Sequence, residues 1–175
     1  MQIITKAVLL VAVLGLAACN NPNRYGAGGA GGAGGVGGTN GVNTTGLGDA
    51  SNPASPAYFN QTIGDRVFFL VDQSTLNDAA RATLAQQATW LNTNADYAVI
   101  IEGHADEQGT REYNLALGAR RANSVQEYLI SQGVSASRLR TVSYGKERPV
   151  EICSEESCYS RNRRAVTVIS AGAGA

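Results

Sequence analysis

The sequence predicts an α/β fold of the α+β kind. It is a two-layer sandwich with helices packed on one face of a mixed four-stranded sheet, in the order β-α-β-α-β-β. Three observations carry this. Short runs rich in β-branched and aromatic residues recur after residue 57, two long intervening stretches place apolar residues at helical spacing, and the glycine-rich stretch from residue 20 to about residue 56 has nothing to form a core. The region from there to the end, roughly 115 residues, is long enough to bury one adequate core.

The elements come in this order. Residues 66–71 (RVFFLV) form a buried strand. In residues 76–91, Leu76, Ala80, Leu84, Ala88 and Leu91 share one helical face. Residues 97–102 (YAVIIE) are the second strand. Residues 111–132 are the second helix, stopped by Gly133. Residues 139–144 are the third strand. A long connection, 145–162, then holds Pro149 and two cysteines and has room for a short helix. Residues 165–169 (AVTVI) close the sheet. The domain is therefore placed at 57–170, with a tail at 171–175 for which no order is expected.

Upstream lie a targeting segment and a linker. Lys6 precedes an uncharged, mostly apolar run from Ala7 to Ala18. That run is too short for a bilayer, which needs about 20 apolar residues, and residues 1–18 read as a secretory signal peptide. The run ends Leu16-Ala17-Ala18-Cys19, which resembles the lipobox of bacterial lipoproteins. The resemblance implies cleavage before Cys19 and acylation of its sulfur and new amino group. Each buried CH₂ contributes about 0.8 kcal/mol, so two or more acyl chains hold stably where one holds marginally. Residue 20 is Asn rather than Asp, which by resemblance to enteric lipoproteins implies the outer membrane, with the domain in the periplasm. Residues 19–56, the lipidated cysteine and a linker, contain GAGGAGGAGGVGG and almost no charge. A Gly-rich coil of this length has an r.m.s. reach of roughly 35 Å, and about 120 Å when fully extended, which suits a tether.

Lysine plus arginine equals aspartate plus glutamate, 14 of each. No global field draws in nucleic acid, and none is expected as a partner. With Cys19 lipidated, Cys153 and Cys158 remain as an even pair in an oxidising compartment, and a disulfide is expected there. So small a ring contributes about 2 kcal/mol in the chain-entropy model. A redox site would more often have two residues between its cysteines, and zinc would need more ligands nearby. The two glutamates inside that loop are expected on the surface, as a solvated acidic turn or a partner surface.

Two places break local rules. After the second strand, the run EGHADEQGT (102–110) is acidic and polar and is bracketed by Gly103 and Gly109. In the second helix, Leu117, Val125 and Leu129 lie on one i, i+4 row, and Arg121 occupies the missing step. A guanidinium in an apolar row needs an anionic partner. Two readings stand. Arg121 either reaches solvent or pairs structurally with Asp106, or Asp106 and Arg121 together face a zwitterion, Arg121 taking a carboxylate and Asp106 an ammonium. Glu102, His104 and Asp106 alternate and would share a face of an extended chain, the pattern of an acid/base group or metal site. His104 is the only histidine, however, and no nucleophile-elbow or phosphate-loop motif is present. No catalytic residue, metal or cofactor is assigned, and His104 is read as a structural loop residue.

The run GHADEQGTREYNLALGARRANSVQEYL is similar to the signature of OmpA-like peptidoglycan-binding domains: Asp106, Gly109, Asn114, Leu117, Arg121 and Ala122 fall in place. Val71-Asp72 with Leu76, the segment SYGKE (143–147) with Pro149, and Asn162-Arg163-Arg164-Ala165-Val166 fit the same family's flanks. The resemblance covers about 59–169 and implies the OmpA C-terminal-like fold. It also implies a ligand, the peptidoglycan stem peptide through its meso-diaminopimelate. Asp106 would take the free ammonium and Arg121 the free carboxylate. Asp72 would line the same pocket, and Asn114 and Leu117 would supply its wall and helix start. Arg164 would add positive potential or brace Asp106. Lipid-anchored members imply a role tying the outer membrane to the wall, supporting envelope integrity and constriction at division. They also imply docking to the periplasmic propeller protein TolB, with TolA a further partner. The alternative is a module whose chief task is docking TolB.

Overall fold

The computed structural model describes residues 48–171. The expectations for the signal peptide (1–18), Cys19, most of the linker and the end of the tail lie outside the described residues.

The packed region starts earlier than its sequence suggests. Helix α1 (Pro56–Tyr58) runs directly into a π-helical segment, Phe59–Gly64. Ser55 caps α1 by accepting from the Tyr58 N–H, and Pro56 sits in the first turn, where a missing N–H costs nothing. Residues 52–55, expected in the linker, are fastened to the body instead: Trp90 Nε1 donates to the Pro53 carbonyl at 2.6 Å and Tyr97 Oη to the Ala54 carbonyl at 3.1 Å. Phe59, Trp90 and Tyr97 stack in series, with centroids 4.9 and 5.2 Å apart.

Then come β1 (Arg66–Phe68), α2 (Asp78–Thr93), β2 (Tyr97–His104), α3 (Arg111–Ser131), a single 3₁₀ turn (Ala136–Arg138), β3 (Leu139–Gly145), α4 (Glu156–Asn162) and β4 (Arg164–Ala171). Asn77 and Thr110 cap α2 and α3, accepting from the N–H groups of Ala80 and Tyr113. The α2 cap sits later than its apolar stripe suggests, because Asn77 satisfies the first orphan N–H groups and Leu76 does not. The first strand is shorter than its apolar run. Leu70 and Val71 are exposed, and the chain turns at Asp72, whose φ is +57°. The short helix α4 occupies the long connection.

The sheet order is β1-β4-β2-β3; β2 and β3 are parallel and the other pairs antiparallel. Val67, Val99, Ile101 and Ala165 face α2 and α3 and form one core with Leu84, Leu91, Val125 and Leu129. Two polar residues cross that core satisfied: Gln87 donates to the Gly64 carbonyl at 2.7 Å and accepts from Thr167 Oγ1 at 2.8 Å. Helix α3 lies unusually close to β2. A Cβ on Gly103 would fall 1.8 Å from the Gly118 carbonyl oxygen, so glycine is required at both positions. This approach delivers Arg121, one turn beyond Gly118, to the end of β2.

Candidate functional site

Strand β2 runs two residues beyond the expected end, to His104, with a register shift against β3 at Gly103/His104. Ala105 stays tied to this edge through its N–H to the Gly145 carbonyl, 2.8 Å. Asp106 therefore leaves the sheet on a fixed base. The turn after it is pinned by Asn114, whose Nδ2 donates to the Gln108 carbonyl at 2.7 Å, and by Lys146, whose Nζ donates to the Gly109 carbonyl at 2.7 Å. Gly109 has a φ of +89°, which closes the turn. Asn114 and Leu117 are both buried on α3, and Asn114 builds the loop that carries Asp106.

Arg121 is the largest fully buried side chain among the described residues, with 0% exposure. It does not reach solvent. Its Nε donates to Gln73 O (2.8 Å), Nη1 to His104 O (2.8 Å) and Nη2 to Leu70 O (3.1 Å). It ties the end of β2 to the 70–73 segment, with Phe69 facing its guanidinium at 5.2 Å. Among the described residues no carboxylate lies within ion-pair distance of it. Burial lowers its pKa to about 10, opposed by the nearby charges of Asp106 and Asp72, so it stays cationic at neutral pH. A guanidinium has five N–H donors, which leaves two of them unspent.

Asp106 is only 7% exposed. The direct pair with Arg121 left open by the sequence is not formed, and bracing by Arg164 is not found either. Arg163 does this instead: its Nη1 lies 3.1 Å from Asp106 Oδ2, while Gln108 N donates to Oδ1 at 3.3 Å. The two arginines diverge where the chain changes element: Arg163 is the C-cap residue of α4 and Arg164 opens β4. Arg164 is the register partner of Phe68 on the face away from the helices, and it donates to the carbonyls of Asn162 (3.3 Å) and Arg148 (3.1 Å). Arg163 turns towards the loop end, where Nε donates to the Phe69 carbonyl at 3.2 Å and both Nη atoms meet Glu156. Glu156 is thus paired and not simply a solvated residue of an acidic turn. Its pKa lies below the ordinary carboxylate value because of hydrogen bonds from Arg163. The Cys153–Cys158 disulfide encloses it in the chain.

Asp72 reaches the same neighbourhood from the turn after β1, where it accepts a hydrogen bond from Tyr113 Oη on α3. Its positive φ holds the exposed Leu70 and Val71 beside the site. His104 lies across the sheet from the core, is 1% exposed, and stacks on Tyr144 at 5.5 Å. Neither of its ring nitrogens has a hydrogen-bond partner, although Nε2 is 3.5 Å from Glu102 Oε2. Burial, with Arg164 and Arg148 nearby, pushes its pKa down to about 4. It is neutral under ordinary conditions and is a strand residue, not a loop residue. Among the described residues, no three His, Cys, Asp or Glu side chains converge as a metal-binding group.

The site is thus a buried cation, a braced carboxylate and a second carboxylate on a constrained turn. Sequence reasoning missed Arg163, Glu156 and Tyr113. The signal in the sequence was a pair of adjacent arginines just ahead of the last strand, which does not by itself say which of them meets Asp106.

Residues 68–163 match the OmpA family. A peptidoglycan-associated lipoprotein of Mesorhizobium japonicum is 58% identical over 125 residues, which cover 71% of this chain and 74% of that protein. The crystal structure of the peptidoglycan-associated lipoprotein from Burkholderia pseudomallei superposes with a TM-score of 0.63 at 35% identity, covering 68% of this chain and all (100%) of that one. The C-terminal domain of Helicobacter pylori MotB superposes with a TM-score of 0.58 at 22% identity, covering 62% of this chain and 86% of that one, which shows a shared fold.

Proposed function

The chain belongs to the OmpA family and groups within it with the peptidoglycan-associated lipoproteins, and on that premise we propose that it binds peptidoglycan without covalent chemistry and ties the outer membrane to the wall. Cys19 is the lipid attachment point, and the glycine-rich segment is the tether. Attachment by lipid is the reading that the run Leu16-Ala17-Ala18-Cys19 favours, and among the described residues no helix is long and apolar enough to cross a membrane.

The observation that carries the binding site is Arg121, a buried guanidinium with three donors on backbone carbonyls and, among the described residues, no carboxylate in contact. The ligand is the meso-diaminopimelate of the stem peptide. Its free carboxylate takes the two remaining N–H groups of Arg121, and its ammonium takes Asp106, with Asp72 completing the acidic side. Because Arg121 is fully covered, the 70–73 segment bonded to it must yield as the carboxylate enters. A lysine-type stem peptide has the ammonium but not the second carboxylate and leaves Arg121 unanswered. Removing one member of a desolvated charged pair costs about 2–5 kcal/mol.

Docking to TolB, with TolA as a further partner, belongs to the same proposal, as part of a Tol-Pal assembly acting in envelope integrity and constriction. Exposed Leu70, Val71, Tyr113 and Leu115 beside the site support it.

The test uses the full-length lipidated chain in mild detergent with purified sacculi, with and without free meso-diaminopimelate. Wild type is expected to co-sediment, and the free amino acid to release it. Asp106→Ala and Arg121→Ala should each weaken binding by at least about thirtyfold. Retention by folded variants would move the site elsewhere. Folded wild type that ignores sacculi would leave docking to TolB as the leading reading.

A further inference from the structure

Arg163 divides its guanidinium unequally. Nη1 is shared between Asp106 Oδ2 at 3.1 Å and Glu156 Oε2 at 3.3 Å, Nη2 is committed to Glu156 Oε1, and Nε is held by the Phe69 carbonyl at 3.2 Å. One edge of the fork therefore faces Glu156, and Asp106 receives a single shared contact. The arginine and the aspartate are buried, with side chains 4% and 9% exposed, while that of Glu156 is 63% exposed. Glu156 is the first residue of α4 and lies inside the ring closed by Cys153 and Cys158, which are five positions apart. Asn162, at the other end of α4, accepts from the N–H groups of Val150 and Glu151 and fixes the helix from that side.

We propose that Glu156 and Arg163, kept in register by the Cys153–Cys158 disulfide, form a positioning relay that sets how strongly Asp106 holds the ligand's ammonium. The proposal rests on the diaminopimelate reading of the site. Glu156 draws the arginine fork aside, so that Asp106 is braced in place yet keeps lone pairs for the ligand. Without Glu156 the freed edge can close on Asp106 bidentately, and the charge of Arg163 stands unbalanced beside an incoming ammonium. Both effects weaken binding. The disulfide acts through Glu156, because it fixes where α4 begins.

The test is calorimetric titration of the full-length chain in detergent with free meso-diaminopimelate, paired with sacculus co-sedimentation. Glu156→Gln should raise Kd about three- to fivefold, the upper range for an exposed ion pair. Cys153→Ser with Cys158→Ser should raise it in the same direction and by no more. Combining all three substitutions should give no further loss beyond Glu156→Gln, since the two perturbations act through one contact. Glu155→Gln, the exposed neighbour, should leave Kd unchanged. Raising the salt should close the gap between wild type and Glu156→Gln, because exposed charge pairs are screened. A purely structural disulfide would lower stability while leaving the Kd of the folded protein and its salt dependence alone. If wild type binds and Asp106→Ala abolishes binding, but Glu156→Gln stays within about twofold of wild type, the relay is wrong and the site stands. Additive losses in the combined variant would also overturn the relay. Wild type that does not bind the amino acid or sacculi overturns both.

Discussion

Replacing Asp106 with asparagine removes a charge from a buried pair while keeping the shape and an acceptor for the Gln108 N–H. The partner is Arg163, with N···O at 3.1 Å and both side chains under a tenth exposed. At an effective dielectric near 20, Coulomb attraction at that distance is about 5 kcal/mol. Desolvation of both groups offsets part of it, and breaking such a pair by removing one member typically costs about 3–5 kcal/mol. Glu156 remains to balance Arg163, so the expected loss for Asp106→Asn lies at the low end, about 3 kcal/mol. Urea unfolding followed by the fluorescence of Trp90, the single tryptophan, reads it directly. The double variant Asp106→Asn with Arg163→Met should lose less than the sum of the single losses by about 1–3 kcal/mol, because the second change removes the stranded cation. A single-variant loss below about 1 kcal/mol, the range of exposed ion pairs, or strict additivity in the cycle, would refute the claim that Arg163 braces Asp106.

Three further outcomes are expected from the same geometry. Gly103→Ala places a methyl 1.8 Å from the Gly118 carbonyl, a backbone atom that cannot rotate away, and should cost about 3 kcal/mol or more in urea unfolding. The folded pKa of His104 is about 4, below the unfolded value near 6.5, so the unfolded chain binds more protons between those limits. Stability should therefore fall as pH drops through that window, by on the order of 3 kcal/mol in total, and His104→Gln should flatten that part of a stability-against-pH curve. Deleting residues 48–55 removes the Ser55 cap and the carbonyl that Trp90 Nε1 uses, which should cost about 2 kcal/mol and shift the Trp90 emission.

The four strands and two long helices were legible because each carries its own period. YAVIIE reads as a strand at any position in the chain, and the row of Leu117, Val125 and Leu129 reads as one helical face. The interruption of that row by Arg121 was equally visible, since a guanidinium among leucines and valines conflicts with burial unless something answers it. Element ends were less legible. Leu70 and Val71 are as apolar as Val67 yet lie exposed beyond the strand, because the turn at Asp72 takes them off the sheet. Residues 52–55 look like linker by composition, and only the reach of Trp90 and Tyr97 makes them part of the body.

The sequence by itself determined the four strands, the two long helices and their order, the cysteine pair and the two charged residues around which the site is organised. These are set by properties read one residue or one period at a time. Only the tertiary structure decided which charge meets which. Asp106 is answered by Arg163 across 57 positions, and Arg121 by carbonyls 17, 48 and 51 positions away. Such partners are chosen by the sheet order β1-β4-β2-β3 and by the close approach of α3 to β2. Neither is encoded in local propensity, because both depend on which strands pair once the whole core is buried.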